Sequence, residues 1–176
     1  MKVLCFDIES NGLHGEAFAV AGVLMNSKRE IISQFTSRCP IVGPVDEWVA
    51  ANVLGPMEDM PDTAPDARTM RDAFWEWYMD VKSSADMIVA ANPYPVEARF
   101  LIACQNDDMA AREFDHPFPY YDLSSLLYSH GYKTPAKRRD FVKKAVQDAT
   151  GDSHNPLWDA TATAMAALSA SELISK

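Results

Sequence analysis

Hydrophobic and polar positions along the chain divide it into short β-like runs followed by helical periodicities. Residues 2–8 form a compact apolar run that stops at Ser10-Asn11-Gly12, the pattern of a strand covered on both faces and ending in a turn. Residues 17–25 and 30–37 are two further apolar, β-branched segments. Asn26-Ser27-Lys28-Arg29 between them has the chemistry of a hairpin turn, so an antiparallel meander starting with the first strand is predicted. Residues 39–65 hold five of the eleven prolines together with Gly43 and Gly55, which predicts loop around one short helix at 45–54.

Beyond this stretch the period changes. Asp66 is placed to cap a helix in which Met70, Phe74, Trp75, Trp77, Tyr78 and Val81 recur at steps of three and four. Residues 86–91 read as a buried strand, and Pro95 as the first residue of a helix through Phe100, Leu101 and Cys104. A short strand is expected at 117–121 and a helix capped by Asp122 that ends near Gly131. A basic amphipathic helix is expected at 137–150, and Pro156 opens an alanine-rich helix to about Ile174. Strands first, then alternating helix and strand, predict an α/β domain with a mixed sheet flanked by helices.

Composition adds bounds. With 176 residues, 48% of them hydrophobic and 23% charged, the chain suits one domain spanning 1–176 that buries a core without staples. Three cysteines, none in a C-x-x-C pair, favour a reducing, cytoplasmic setting. No apolar run is long enough for a membrane span or a signal segment, so no membrane partner is expected. A net charge of −9 argues against a protein that coats nucleic acid, although carboxylates gathered at a cation site also count towards that total.

Three places carry candidate chemistry. Asp7 and Glu9 are two apart where an apolar strand ends, so both side chains point to one face, and a divalent cation held by oxygen ligands would relieve their repulsion. Spacing alone leaves two solvated acids equally open. His154 and Asp159 bracket the start of the last helix, and Glu97 lies in the first turn of the helix after strand 86–91; each alone is an ordinary helix-start residue.

In chain order, FDIESNGL at 6–13, ANPYPVEARFL at 91–101 and HNPLWDATATA at 154–164 resemble the three exonuclease motifs of the DEDDh family, the DnaQ-like and RNase T-like 3'-5' exonucleases. The second motif departs from the family pattern, with Glu97 where an aspartate is usual. The resemblance implies an RNase H-like fold and two divalent cations, Mg²⁺ or Mn²⁺. Asp7 would bridge them, Glu9 and Asp159 would hold the first and Glu97 the second. It also implies His154 as general base towards the attacking water, release of nucleoside 5'-monophosphates, and single-stranded RNA or DNA with a free 3' end as partner. Ser10, Asn11 and Leu13 would meet the terminal nucleotide, with Leu13 open to simple turn packing instead. A second reading keeps the fold as a nucleic-acid-binding protein weakened by the change at Glu97.

Two features stay open. Six basic residues, Lys133, Lys137, Arg138, Arg139, Lys143 and Lys144, precede the third motif and suit either phosphates or a solvated helix face. Trp75 and Trp77 are two apart on one helix; core packing is the favoured reading, and a base-stacking platform or a homodimer contact the other.

Overall fold

A computed structural model describes residues 1–147, 151 and 153–174. Its sheet has five strands in the order β3-β2-β1-β4-β5: β1 (Lys2–Ser10), β2 (Ala17–Asn26), β3 (Ile31–Arg38), β4 (Met87–Ala90) and β5 (Tyr121–Asp122). β1, β2 and β3 form the expected antiparallel meander, while β4 runs parallel to β1 and β5 parallel to β4. The mixed sheet flanked by helices matches the expectation. β1 is therefore hydrogen-bonded on both edges, and because helices cover both of its faces its sequence is apolar on both.

The helices are α1 (Glu47–Asn52), α2 (Ala67–Lys82), α3 (Val96–Asp107), α4 (Met109–Arg112), α5 (Leu123–Ser129), α6 (Pro135–Val146) and α7 (Pro156–Ile174), with one 3₁₀ turn at Gly55–Met57. Alternation along β1 sorts the core into two layers. Leu4, Phe6 and Ile8 pack with Phe74 and Tyr78 of α2 and with Phe100 and Leu101 of α3. Val3 and Cys5 face the other side, where Ala160, Ala164, Ala167 and Ala170 of α7 are buried. Alanines at those positions let the helix axis approach the sheet closely, and α7 crosses the layer that also carries Asp7 and Glu9.

Several boundaries differ from the sequence expectation for local reasons. β5 is two residues long at 121–122 rather than a strand over 117–121, because Pro117 and Pro119 have no N–H to give to a ladder. The basic helix begins at Pro135, not 137, since the Thr134 hydroxyl accepts from the Lys137 N–H and Pro135 occupies the first helical position. It ends at Val146, where Gln147 turns left-handed (φ 43°); residues 148–150 of the expected helix lie outside the described ones. The helix expected at 45–54 is the shorter α1, capped by Asp46 through the N–H groups of Trp48 and Val49, and the 3₁₀ turn lies just beyond the expected span. α4, capped by Asp108, was not expected. Among the described residues no helix is long and apolar enough to cross a membrane.

Both tryptophans of α2 serve packing. Trp75 is 5% exposed. Trp77 lies half-buried across the sheet, stacked on Phe35 at 5.6 Å, with its indole N–H donating to the Ser33 hydroxyl at 2.9 Å. Gly22 makes this possible: a Cβ there would fall 2.4 Å from the Trp77 ring. Gly22→Ala should therefore lower unfolding free energy by about 1–3 kcal/mol, the usual cost of overpacking. Urea titration would show it, and adding Trp77→Leu should return part of the loss; additive losses would mean that the two residues do not compete for space.

Candidate active site

β1 delivers the first two carboxylates. Asp7 pairs with Ala21 and Glu9 with Ala19 on β2, and the ladder slips at Glu9/Ser10, where the strand loosens into the turn. Gly12 turns with φ +80°, and a Cβ on it would sit 3.3 Å from the Asp46 carboxylate. α7 delivers the third. Asn155 accepts from the Trp158 N–H through its side chain at 3.3 Å and from the Asp159 N–H through its carbonyl at 2.9 Å, and Pro156 takes the first helical position. Asp159 thus lies in the first turn, where the helix dipole favours a negative charge.

These elements bring Asp7, Glu9 and Asp159 together, with one oxygen of each within 4.8 Å of the others. Three carboxylate oxygens at that separation, with little water to screen them, form a donor set for a hard divalent cation. Glu97 lies outside this trio. It is only 7% exposed, in the first turn of α3, and its charge still bears on Asp7 and Glu9.

His154 is bound to the same cluster at two points. Its backbone N–H donates to Asp159 Oδ2 at 2.7 Å, and its ring Nδ1 is 3.5 Å from Glu9 Oε1. The residue adopts a left-handed conformation, φ 69°, which costs a non-glycine residue about 1–3 kcal/mol and is maintained only where the surroundings impose it. Here the anchoring partner is the Asp159 carboxylate.

Electrostatics record the crowding. Burial, with Asp159, Glu97 and Glu9 adding repulsion, holds the Asp7 carboxyl well above the usual carboxylate range. Burial first, then Asp159 and Glu97, pushes Glu9 up to about 8, and burial pushes Glu97 up to about 7. Asp159 is also raised by burial, opposed by the His154 N–H and ring. Shared desolvation and mutual repulsion of this kind make the cluster favourable for a positive partner.

The residues expected at a terminal nucleotide are placed unequally. Leu13 is 64% exposed on the turn, so it is not spent on turn packing. The Ser10 hydroxyl donates to the Gly12 carbonyl at 2.8 Å. Asn11 is engaged within the fold: its side chain donates to the Pro44 carbonyl at 2.9 Å and accepts from the Asp46 N–H at 2.8 Å, and its own N–H donates to the Glu16 carbonyl. Asp122 caps α5 through the Ser124 N–H and the Ser125 hydroxyl.

Two neighbours of the site escaped the sequence reading. Trp48 of α1, 56% exposed, meets the His154 ring edge-to-face with centroids 5.2 Å apart. It lies in the proline-rich stretch, where no periodicity pointed to it; its position next to the cap residue Asp46 and before buried Val49 was the available signal. Tyr120 stacks on Phe6 at 5.4 Å and presents a buried hydroxyl with no hydrogen-bond partner among the described residues, close enough for Glu97 and Asp7 to act on it. An orphaned buried hydroxyl beside raised carboxylates fits a place that a cation and its water shell would complete.

No family model matches the chain, and no curated protein matches it in sequence. Solved structures do match. The nuclease domain of 3'hExo, a DEDDh family member bound to rAMP, is 18% identical with a TM-score of 0.62, covering 99% of this chain and 92% of that one. Exonuclease X in complex with 5' overhanging duplex DNA is 17% identical with a TM-score of 0.62, covering 99% and 93%. A 3'-exonuclease structure on recognition of the histone mRNA stem-loop is 16% identical with a TM-score of 0.57, covering 99% and 82%. Over nearly its whole length, the chain has the RNase H-like fold of the DEDDh exonucleases.

Proposed function

We propose that the chain, as one domain over residues 1–176, is a DEDDh-type 3'-5' exonuclease that hydrolyses single-stranded RNA or DNA with the help of Mg²⁺ or Mn²⁺. The observation that carries this is the convergence of Asp7, Glu9 and Asp159 within 4.8 Å, with His154 Nδ1 3.5 Å from Glu9, on that fold. Asp7, Glu9 and Asp159 would hold one cation, and Glu97 with Asp7 a second. Such ions, when bound, supply positive charge to the attacking and leaving oxygens of a phosphodiester and make water more acidic.

The chain's own groups do the rest. His154 accepts the proton of the attacking water on its ring, its position fixed by the backbone bond to Asp159 and by Trp48 against the ring. Leu13 and Ser10 lie on the turn just beyond Glu9, where a terminal nucleotide would meet them, and exposed Trp48 offers an aromatic face for its base. The products would be nucleoside 5'-monophosphates. A second reading, a nucleic-acid-binding protein with weakened catalysis, draws on Glu97 lying outside the carboxylate trio.

Digestion of 5'-labelled RNA and DNA oligonucleotides with either cation tests the proposal and separates the readings. Stepwise shortening from the 3' end is expected, abolished by chelator, by Asp7→Asn and, if the second cation is needed, by Glu97→Gln. Undiminished release by Asp7→Asn would remove the site assignment; binding without release by the unaltered protein would favour the second reading.

His154→Ala should lower kcat by roughly 10²–10⁴-fold with oligonucleotide affinity nearly unchanged, because a general base touches the water and not the strand. Affinity lost at constant kcat would make His154 a binding residue.

The raised carboxyls also fix a pH dependence. Between the ordinary glutamate value of 4.5 and about 8 for Glu9, or about 7 for Glu97, the folded chain binds more protons than the unfolded one. Stability of the metal-free protein must therefore fall as pH rises through that window. Melting followed from pH 5 to 8 in chelator should show a declining Tm, with Mn²⁺ restoring it most at the upper end, where the carboxylates are ionised. A flat or rising metal-free profile would contradict the burial of these charges.

A further inference from the structure

A groove of about 720 Å³ runs along the face of α6 and includes Asp159 in its lining. Its walls are Ala91 and Asn92 beyond β4, Ser124 of α5, and Trp158 and Thr163 of α7. α6 contributes Arg138, Arg139, Val142 and Lys143, a continuous stripe at helical spacing. The six basic residues before the third motif are thereby sorted: three face the groove, while Lys133 lies over the Tyr128 ring at 4.1 Å, and Lys137 and Lys144 do not line it.

The charge in the groove is opposite to that of the chain as a whole. The net charge is −9, yet among the described residues Asp159 is the only acidic group lining the groove. Arg138 is partly occupied, donating to the Tyr132 and Lys133 carbonyls that form the turn into α6. Arg139 and Lys143 are exposed, and their side chains make no ion pair or hydrogen bond among the described residues. Two cations unpaired among the described residues, in a groove that reaches the carboxylate cluster through Asp159, suit a polyanion whose end lies at that cluster.

The groove opens beside the ends of β4 and β5, at Ala91, Asn92 and Ser124. We propose that this groove holds the single strand on the 5' side of the phosphodiester to be cut, with Arg139 and Lys143 on its phosphates and the apolar wall of Val142 and Trp158 towards its bases. The direction of the strand rests on the exonuclease reading; the binding of a single strand does not.

The test is fluorescence anisotropy of labelled single strands in magnesium, in the slowly cleaving His154→Ala background, comparing a trinucleotide with an oligonucleotide of about 15 nucleotides. Arg139→Glu/Lys143→Glu should weaken binding of the longer strand by roughly tenfold or more and the trinucleotide by far less. It should also flatten the salt dependence by about 0.7 in log–log slope for each lost phosphate contact. Arg139→Gln/Lys143→Gln should fall between this variant and the parent, and Lys28→Glu, a reversal on the exposed β2–β3 turn, should match the parent. Unchanged binding of the longer strand, or an equal loss for both lengths, would overturn the groove. If the unaltered protein releases no mononucleotide while the length-dependent loss persists, the catalytic reading fails and the groove stands.

Discussion

The structure is built around negative charges that would separate if their backbones allowed it. Asp7 and Glu9 cannot withdraw because both are paired with β2, β1 is held on its other edge by β4 at Val3 to Cys5, and Leu4, Phe6 and Ile8 anchor its opposite face in the larger core layer. Asp159 cannot withdraw because α7 is pressed onto the same sheet by its alanines. The repulsion is borne by hydrophobic burial elsewhere, and the framework maintains the carboxylates in an array that either protons or cations would relieve.

The same logic explains His154. A left-handed histidine is unfavourable on its own, and an unpaired carboxylate at a helix start is costly when half-buried. Joined through one N–H, each answers the other's need. The loop preceding α7 therefore carries its conformation in register with the charge on Asp159, and the imidazole arrives beside Glu9 as a consequence of backbone geometry more than of side-chain packing.

Much of this was legible in the chain because it depends on short-range period. β1 shows itself as an unbroken apolar run, α2 as a recurrence of three and four residues and α7 as an alanine-rich stretch opened by Pro156, while Asp7 and Glu9 share a face because strand side chains alternate. What stayed hidden is non-local. That Glu97 stands apart from the other three acids depends on how α3 leaves β4, and Trp48 reaches His154 only because Asn11 holds α1 over the turn. Asn11 itself illustrates the limit: its side chain clasps Pro44 and Asp46, a tie that its neighbours in sequence do not announce. The early start of α6, by contrast, was written in Thr134-Pro135 and simply outweighed by the basic run that follows.

The segment around α1 is tied at both ends to separate parts of the site. Asn11 clasps Pro44 and Asp46 from the turn after β1, and Asn155 donates to the Pro56 carbonyl at 3.4 Å from the loop before α7. Sequence distance from the carboxylates is therefore a poor guide to which positions tolerate change. Residues 44–56 act as a strut spanning two arms of the centre, so a lengthened or shortened loop there would displace the β1 turn relative to the histidine loop while leaving every acidic residue intact.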